Sequence, residues 1–133
     1  MSFESVRIGT TASICRQWSE SDVARFAELS GDFNPLHTDE VYARTTCFER
    51  RLVHGMLVGS LSSALVGMYL PGKNCVYVGQ TLFFKGPVFI GDTVNATGTV
   101  ISRSESARSL IVSIVMRRGD EVVVEGEARV RFI

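Results

Sequence analysis

The sequence predicts an α+β domain in which a curved antiparallel sheet wraps one buried central helix. Residues 56–70, Met-Leu-Val-Gly-Ser-Leu-Ser-Ser-Ala-Leu-Val-Gly-Met-Tyr-Leu, are almost wholly apolar or small and lack a polar stripe. A helix there has to be enclosed rather than laid on a surface. From Asn74 onward the chain reads instead as strands separated by turn signals, and these supply the enclosure. The length, 133 residues, fits a single domain spanning 1–133. It allows a real core but is small enough that a large apolar surface suits a second subunit.

In chain order, residues 10–17 alternate weakly at Ala12 and Ile14 and predict an opening strand. Ser19-Glu20-Ser21-Asp22 predicts a helix start, with Ser19 or Ser21 as N-cap and acids in the first turn. Val23, Phe26 and Ala27 line one face, and Gly31 suits the left-handed residue that ends many helices. Asp32 then lies just past a helix end. Pro35 fixes its own φ and pushes Asn34 toward an extended conformation. Thr38 or Asp39 caps a short helix from Glu40 to about Thr45, so Asp32 and His37 fall on a loop between helices. Pro71-Gly72 stops the apolar segment.

The strand region opens with residues 75–84, rich in Val, Tyr and Phe, and is interrupted by Gly86-Pro87. Gly91-Asp92 marks a turn. Residues 93–102 alternate at Val94, Ala96 and Val100, whereas 109–116 form a near-continuous apolar run. Gly119-Asp120 predicts a hairpin, and 121–132 place Val122, Val124, Gly126, Ala128, Val130 and Phe132 on one parity. Together they predict a sheet of roughly five strands. There is no internal repeat, low-complexity tract or linker.

Fourteen basic and fourteen acidic side chains cancel without a run of one sign, which argues against a nucleic-acid groove or an anionic membrane surface and favours a small organic ligand. The apolar segment is too short and too rich in Gly and Ser for a membrane span. Cys15, Cys47 and Cys75 are odd in number and include no CxxC, so reduced thiols in a cytoplasmic compartment are expected. The first residues lack an apolar signal region. A mitochondrial matrix location, after removal of a targeting peptide, stays compatible with this.

The chemistry concentrates between Ser30 and Gly55. Asp32 and His37 flank a stiff turn, a carboxylate to take a proton from water and an imidazole to pass one on. Spacing alone favours a structural reading, with Asp32 capping the turn and His37 an ordinary loop side chain. The Gly55 amide, at the start of a buried helix, suits a developing enolate oxygen; alternatively the residue is Gly only to allow close approach. His54 reads as a hydrogen-bonded packing or supporting residue. Cys47 with His54 lacks a third orienting group for nucleophilic catalysis, Gly59-Ser60-Leu61-Ser62 is not a nucleophile elbow, and two His with scattered acids make a poor metal site, so none is expected.

Three blocks, Phe26-Ala27-Glu28-Leu29-Ser30-Gly31-Asp32-Phe33-Asn34-Pro35-Leu36-His37, Val53-His54-Gly55-Met56 and Tyr69-Leu70-Pro71-Gly72, resemble the MaoC-like (R)-specific enoyl-CoA hydratases, as do residues 79–84 and 87–94. The likeness covers nearly the whole chain and is strongest to the short members that feed polyhydroxyalkanoate synthesis. It implies a hotdog fold, a homodimer with continuous sheets, and no cofactor beyond the CoA or phosphopantetheine of the substrate. An acyl carrier protein is an alternative carrier. Asp32 is implied as the base that activates water for attack at C3 of a trans-2-enoyl thioester. His37 binds that water and delivers a proton to C2, and Gly55 holds the thioester oxygen. Asn34 shapes the turn, Ser63 lies near the pair on the central helix, and Ser63, Val66 and Val130 surround the acyl end. Alternatives on related scaffolds are a 3-hydroxyacyl-ACP dehydratase, a thioesterase or a non-catalytic binding module. Where the family commonly has Arg-Pro, this chain has Arg50-Arg51, which implies a less rigid loop and a solvated surface charge.

Overall fold

A computed structural model describes residues 1–133. The chain begins with a 3-10 turn at Phe3–Ser5, not anticipated from sequence. The strand β1 (Thr11–Gln17) and the helix α1 (Glu20–Ser30) follow. Ser19 is the N-cap of α1: its hydroxyl accepts from the Asp22 amide while the Asp22 carboxylate accepts from the Ser19 amide, a complete capping box. Gly31, at φ 80°, ends the helix in the left-handed region, its amide donating to the Ala27 carbonyl.

The turn expected between helices is itself partly helical. Asn34 caps a one-turn helix α2 (Pro35–Thr38), its side-chain oxygen accepting from the Leu36 amide, and Pro35 sits at the first helical position, where its missing N–H costs nothing. Asp39 caps α3 (Glu40–Arg44). The continuous central helix is corrected: the segment is two helices, α4 (Gly55–Gly59) and α5 (Leu61–Met68). The break falls at Ser60, whose hydroxyl donates to the Leu57 carbonyl at 2.6 Å and whose own carbonyl accepts from the Ser63 amide at i+3 spacing. Side-chain back-bonding of this kind competes with the regular helical ladder.

The sheet comprises β2 (Cys75–Gln80), β3 (Phe83–Phe84), β4 (Thr93–Ser104), β5 (Ser109–Arg118) and β6 (Glu121–Phe132) with β1, in the order β1-β4-β5-β6-β2, all pairs antiparallel. The strand expected over 75–84 is split at Thr81-Leu82, and β3 pairs with β6 on its own, giving six strands rather than five. Gly119-Asp120 forms the expected hairpin between Arg118 and Glu121. The apolar run 109–116 is not buried on both faces: Leu110, Val112, Ile114 and Met116 point into the core, and the residues between them stay half-exposed.

Leu61, Leu65 and Val66 of α5 join the inward residues of β4, β5 and β6 in one cluster of 23 buried residues. Each such side chain contributes about 1.5–3 kcal/mol of burial. Gly98 in β4 lets α5 lie close, for a Cβ there would stand 2.8 Å from Leu65 Cδ2 and 3.1 Å from Val112 Cγ1. Enclosure of the central segment is one-sided. Met56 is 60% and Met68 72% exposed, and Ser63, Ala64 and Gly67 lie on the same outer surface. The outer edge of β2 is likewise unpaired, with Val76 and Val78 exposed. No helix is long and apolar enough to cross a membrane.

Candidate active site

The turn after α1 is built by side chains bonding to the backbone next to them, the usual means by which Ser, Asp and Asn hold irregular segments. The Ser30 hydroxyl accepts from the Asp32 amide, and Asp32 Oδ1 accepts from the Asn34 amide at 3.1 Å. Asp32 therefore does serve the turn, as the structural reading expects. Its second carboxylate oxygen has no hydrogen-bond partner within the chain, and the residue is exposed.

His37 is held from the other side, where its Nδ1 lies 2.9 Å from the Leu52 carbonyl oxygen. A carbonyl only accepts, so Nδ1 carries the proton and Nε2 is left as the free nitrogen. His54 meets the main-chain oxygen of Asp32 at 3.0 Å through Nε2, by the same logic an N–H donor. Its ring stacks on that of His37, with centroids 4.0 Å apart and planes at 26°, and meets the Phe26 ring edge-on at 4.8 Å. Only 1% of His54 is exposed. Burial, the main cause, lowers its pKa below 6.5; the nearby His37 lowers it further, while the bond to Asp32 and that carboxylate's charge act in the opposite sense.

The lowered pKa of His54 has a consequence for stability. Below pH 6.5 the unfolded chain binds a proton that the folded chain refuses, so this residue's contribution falls as pH drops from 6.5 toward the folded-state value. The melting temperature of wild type should accordingly fall more between pH 7.5 and 5.5 than that of His54→Gln. Parallel melting curves at the two pH values check this, and equal falls in both proteins would contradict it.

One carboxylate oxygen of Asp32 and one ring nitrogen each of His37 and His54 lie within 4.8 Å of one another. A water bonded to two such atoms at about 2.8 Å spans about 4.5 Å between them. The Asp32–His37 pair thus lies within reach of a single bridging water. The trio is a poor chelate, because ring planes tilted by 26° and stacked at 4.0 Å do not aim two lone pairs at one ion about 2.0–2.1 Å from each.

His37 and Gly55 open on one cavity of about 360 Å³, walled by Phe48, Leu52, Val53, Val58, Phe84, Lys85, Gly86, Pro87, Val88 and Val124. The Gly55 amide, first of α4, donates to no backbone or side-chain acceptor. Gly55 also satisfies the steric reading, since a Cβ there would stand 3.1 Å from the Phe84 ring. The walls contributed by Phe48, Phe84 and Val124 were missed from sequence. The Phe83-Phe84-Lys85-Gly86-Pro87 stretch was the available signal, an aromatic pair left exposed beside a chain break. Ser63, Val66 and Val130 do not line this cavity: Ser63 faces outward on α5, while Val66 and Val130 are buried in the core. Cys47 is exposed.

The surface role expected of Arg51 is corrected. Its side chain is 15% exposed and bridges Glu20 of α1 and Glu40 of α3, the latter at 3.2 Å. Arg50 lies over the Phe89 ring at 3.7 Å. Together they tie down the segment before His54, against the expectation of a looser loop.

An antiparallel sheet curled on a central helix serves thioesterases as well as hydratases and dehydratases, and the position of the acid separates them. The helices α4 and α5 carry no Asp or Glu; the acid lies with an imidazole on the overhanging turn, which defines a hotdog-fold enzyme of the hydratase–dehydratase class. The chain belongs to the MaoC-like domain family, whose pattern it matches over residues 4–125. It is 45% identical over 133 residues to an (R)-specific enoyl-CoA hydratase of Aeromonas caviae, covering 99% of each chain. The solved (R)-hydratase of A. caviae involved in PHA biosynthesis superposes with a TM-score of 0.95 at 44% identity, covering 98% of this chain and 99% of that one. An unliganded R-hydratase of Pseudomonas aeruginosa superposes with a TM-score of 0.93 at 35% identity, covering 98% and 84%.

Proposed function

We propose that the chain catalyses reversible (R)-specific hydration of trans-2-enoyl-CoA to (R)-3-hydroxyacyl-CoA, with Asp32 and His37 as the catalytic pair. The observation that carries this reading is a carboxylate and an imidazole within 4.8 Å of each other, with the imidazole of His37 opening on the same cavity as an unpaired helix amide while Asp32 stands just outside its walls. The Gly55 N–H binds the thioester oxygen and gains strength as enolate charge develops there. Asp32 takes a proton from water as the oxygen adds to C3, and His37, entering this step as the imidazolium with Nδ1–H on the Leu52 carbonyl and its second proton on Nε2, delivers that second proton to C2. The proton held by Asp32 then replaces the one His37 gave, so one water is consumed and both side chains return to their starting states. Dehydration is the same path reversed. The apolar walls exclude bulk water from the enolate.

No cofactor enters this chemistry, because the thioester of CoA, or of phosphopantetheine on an acyl carrier protein, supplies the activation. A homodimer is part of the proposal: it would cover Met56, Met68 and the outer face of α5, and would pair the free edge of β2. Ser63 retains a role in chain length through that covered face, where the acyl end would run, whereas Val66 and Val130 lie in the core behind it. A cytoplasmic location is proposed from the unpaired cysteines.

Loss of the enoyl-thioester absorbance of crotonyl-CoA, with the enantiomer of the product identified, tests the function. Formation of (R)-3-hydroxybutyryl-CoA is expected. Release of free thiol without hydration would replace the reading with a thioesterase, and a faster reaction with crotonyl-ACP would move the carrier to the protein-bound form.

A further inference from the structure

His54 makes three contacts that converge on the catalytic pair, and the proposed chemistry uses none of its atoms. Its Nε2–H reaches the Asp32 carbonyl 3.0 Å away, across 22 residues of sequence. Its face lies on the His37 ring at 4.0 Å, and Phe26 from α1 closes on it edge-on. As N-cap residue of α4 it also precedes Gly55 directly, and its carbonyl accepts from the amides of Leu57 and Val58. One buried ring thus touches the backbone of the acid and the ring of the base, and is bonded in the chain to the amide donor.

The remaining nitrogen, Nδ1, is buried and has no hydrogen-bond partner. An orphaned polar atom in the core costs stability, and an aromatic hydrocarbon would fill the space without that cost. A residue kept for packing alone would not need the polar ring. What the imidazole supplies beyond a phenyl ring is the Nε2–H at the Asp32 carbonyl. That bond fixes the main chain of an exposed residue whose own side chain is anchored only to the Asn34 amide.

We infer that His54 is a positioning residue for the hydration reaction: its Nε2–H clamps the Asp32 backbone while its face sets the plane of His37, holding the two groups one water apart. The inference rests on Asp32 and His37 being the catalytic pair. Its effect belongs to turnover rather than binding, because displacing the acid by a fraction of an ångström misaligns water and C3 without removing a contact to CoA. Lys85 and the apolar walls that meet the substrate are untouched by it.

Four variants test this with crotonyl-CoA: His54→Gln, His54→Asn, His54→Leu and, as a control on the underlying reading, Asp32→Asn. The Gln amide reaches the place of Nε2 and can donate to the Asp32 carbonyl, whereas the shorter Asn amide stops near Nδ1 and cannot. Expected are kcat values for His54→Gln within about 5-fold of wild type and for His54→Asn and His54→Leu about 10- to 100-fold lower. KM should stay within about 3-fold in all three. Equal kcat in the Gln and Asn variants overturns the clamp, and this comparison stands even where His54→Leu fails to fold. A loss confined to KM also overturns it. Near wild-type turnover in Asp32→Asn instead removes the catalytic pair itself, an outcome distinct from failure of the clamp.

Discussion

Asp32→Asn should lower kcat/KM for crotonyl-CoA hydration by about 10²- to 10⁴-fold, the range associated with a positioned general base. At about 1.4 kcal/mol per decade this is roughly 3–6 kcal/mol of transition-state stabilisation. The substitution changes almost nothing else. Asn keeps an oxygen to accept from the Asn34 amide, and the main-chain oxygen that meets His54 is unaffected. The side chain is exposed, so no buried charge is left unpaired. The melting temperature should stay within a few degrees of wild type. What is lost is the ability to take a proton from water, since an amide oxygen is too weak a base to do so. Stopped assays with product separation would register the decrease, and unchanged hydration in a folded variant would refute the assignment.

Local physics made much of the frame legible in the sequence. The Ser19-to-Asp22 capping box, Gly31 at the end of α1, Asp39 at the start of α3 and the two-residue hairpin at Gly119-Asp120 each depend on neighbours a few positions away, and all appear where their residue types point. Strand β6 follows the expected alternation from Val124 to Phe132, but nearer its start Val123 rather than Val122 is buried, because the register against β5 shifts between Met116 and Arg117. The single-helix reading of 56–70 failed for a reason that composition hides. A serine hydroxyl satisfied by the carbonyl three residues back, with an i+3 bond from Ser63 to Ser60, interrupts the helical ladder at Ser60 without altering the segment's apolar character.

The site was legible as a set of residues but not as a mechanism of assembly. Asp32, His37 and Gly55 can be picked out by type, and the resemblance gives them roles. Nothing in their spacing tells that one imidazole stacks on the base and bonds the backbone of the acid, because the His37–His54 contact joins residues 17 apart in sequence through the path of α3 and the Arg51 bridge. The exposed Phe84 ring over Gly55 is likewise a product of the broken strand between β2 and β3. That packing explains why position 55 needs glycine for sterics and also why its amide opens on an apolar wall, so the two readings of Gly55 are compatible.

The same geometry separates the two tasks of His37. Its Nδ1–H ties α2 to the Leu52 carbonyl, and its Nε2 is free for the substrate water, so amide replacements of different length remove different halves. In His37→Asn the amide nitrogen stands near the place of Nδ1 and preserves the tether, with nothing at the reactive end. In His37→Gln the amide reaches the reactive end but leaves Leu52 without its donor. Both variants should lose about 10²- to 10³-fold in kcat, because neither amide can transfer a proton to C2. They should differ in stability: His37→Asn should melt near wild type, and His37→Gln lower, since an unpaired carbonyl typically costs about 1–3 kcal/mol. Paired melting and turnover measurements distinguish the tasks. An Asn variant that turns over near the wild-type rate would show that Nε2 does not move the proton, and Asp32 alone would then have to carry it from water to C2.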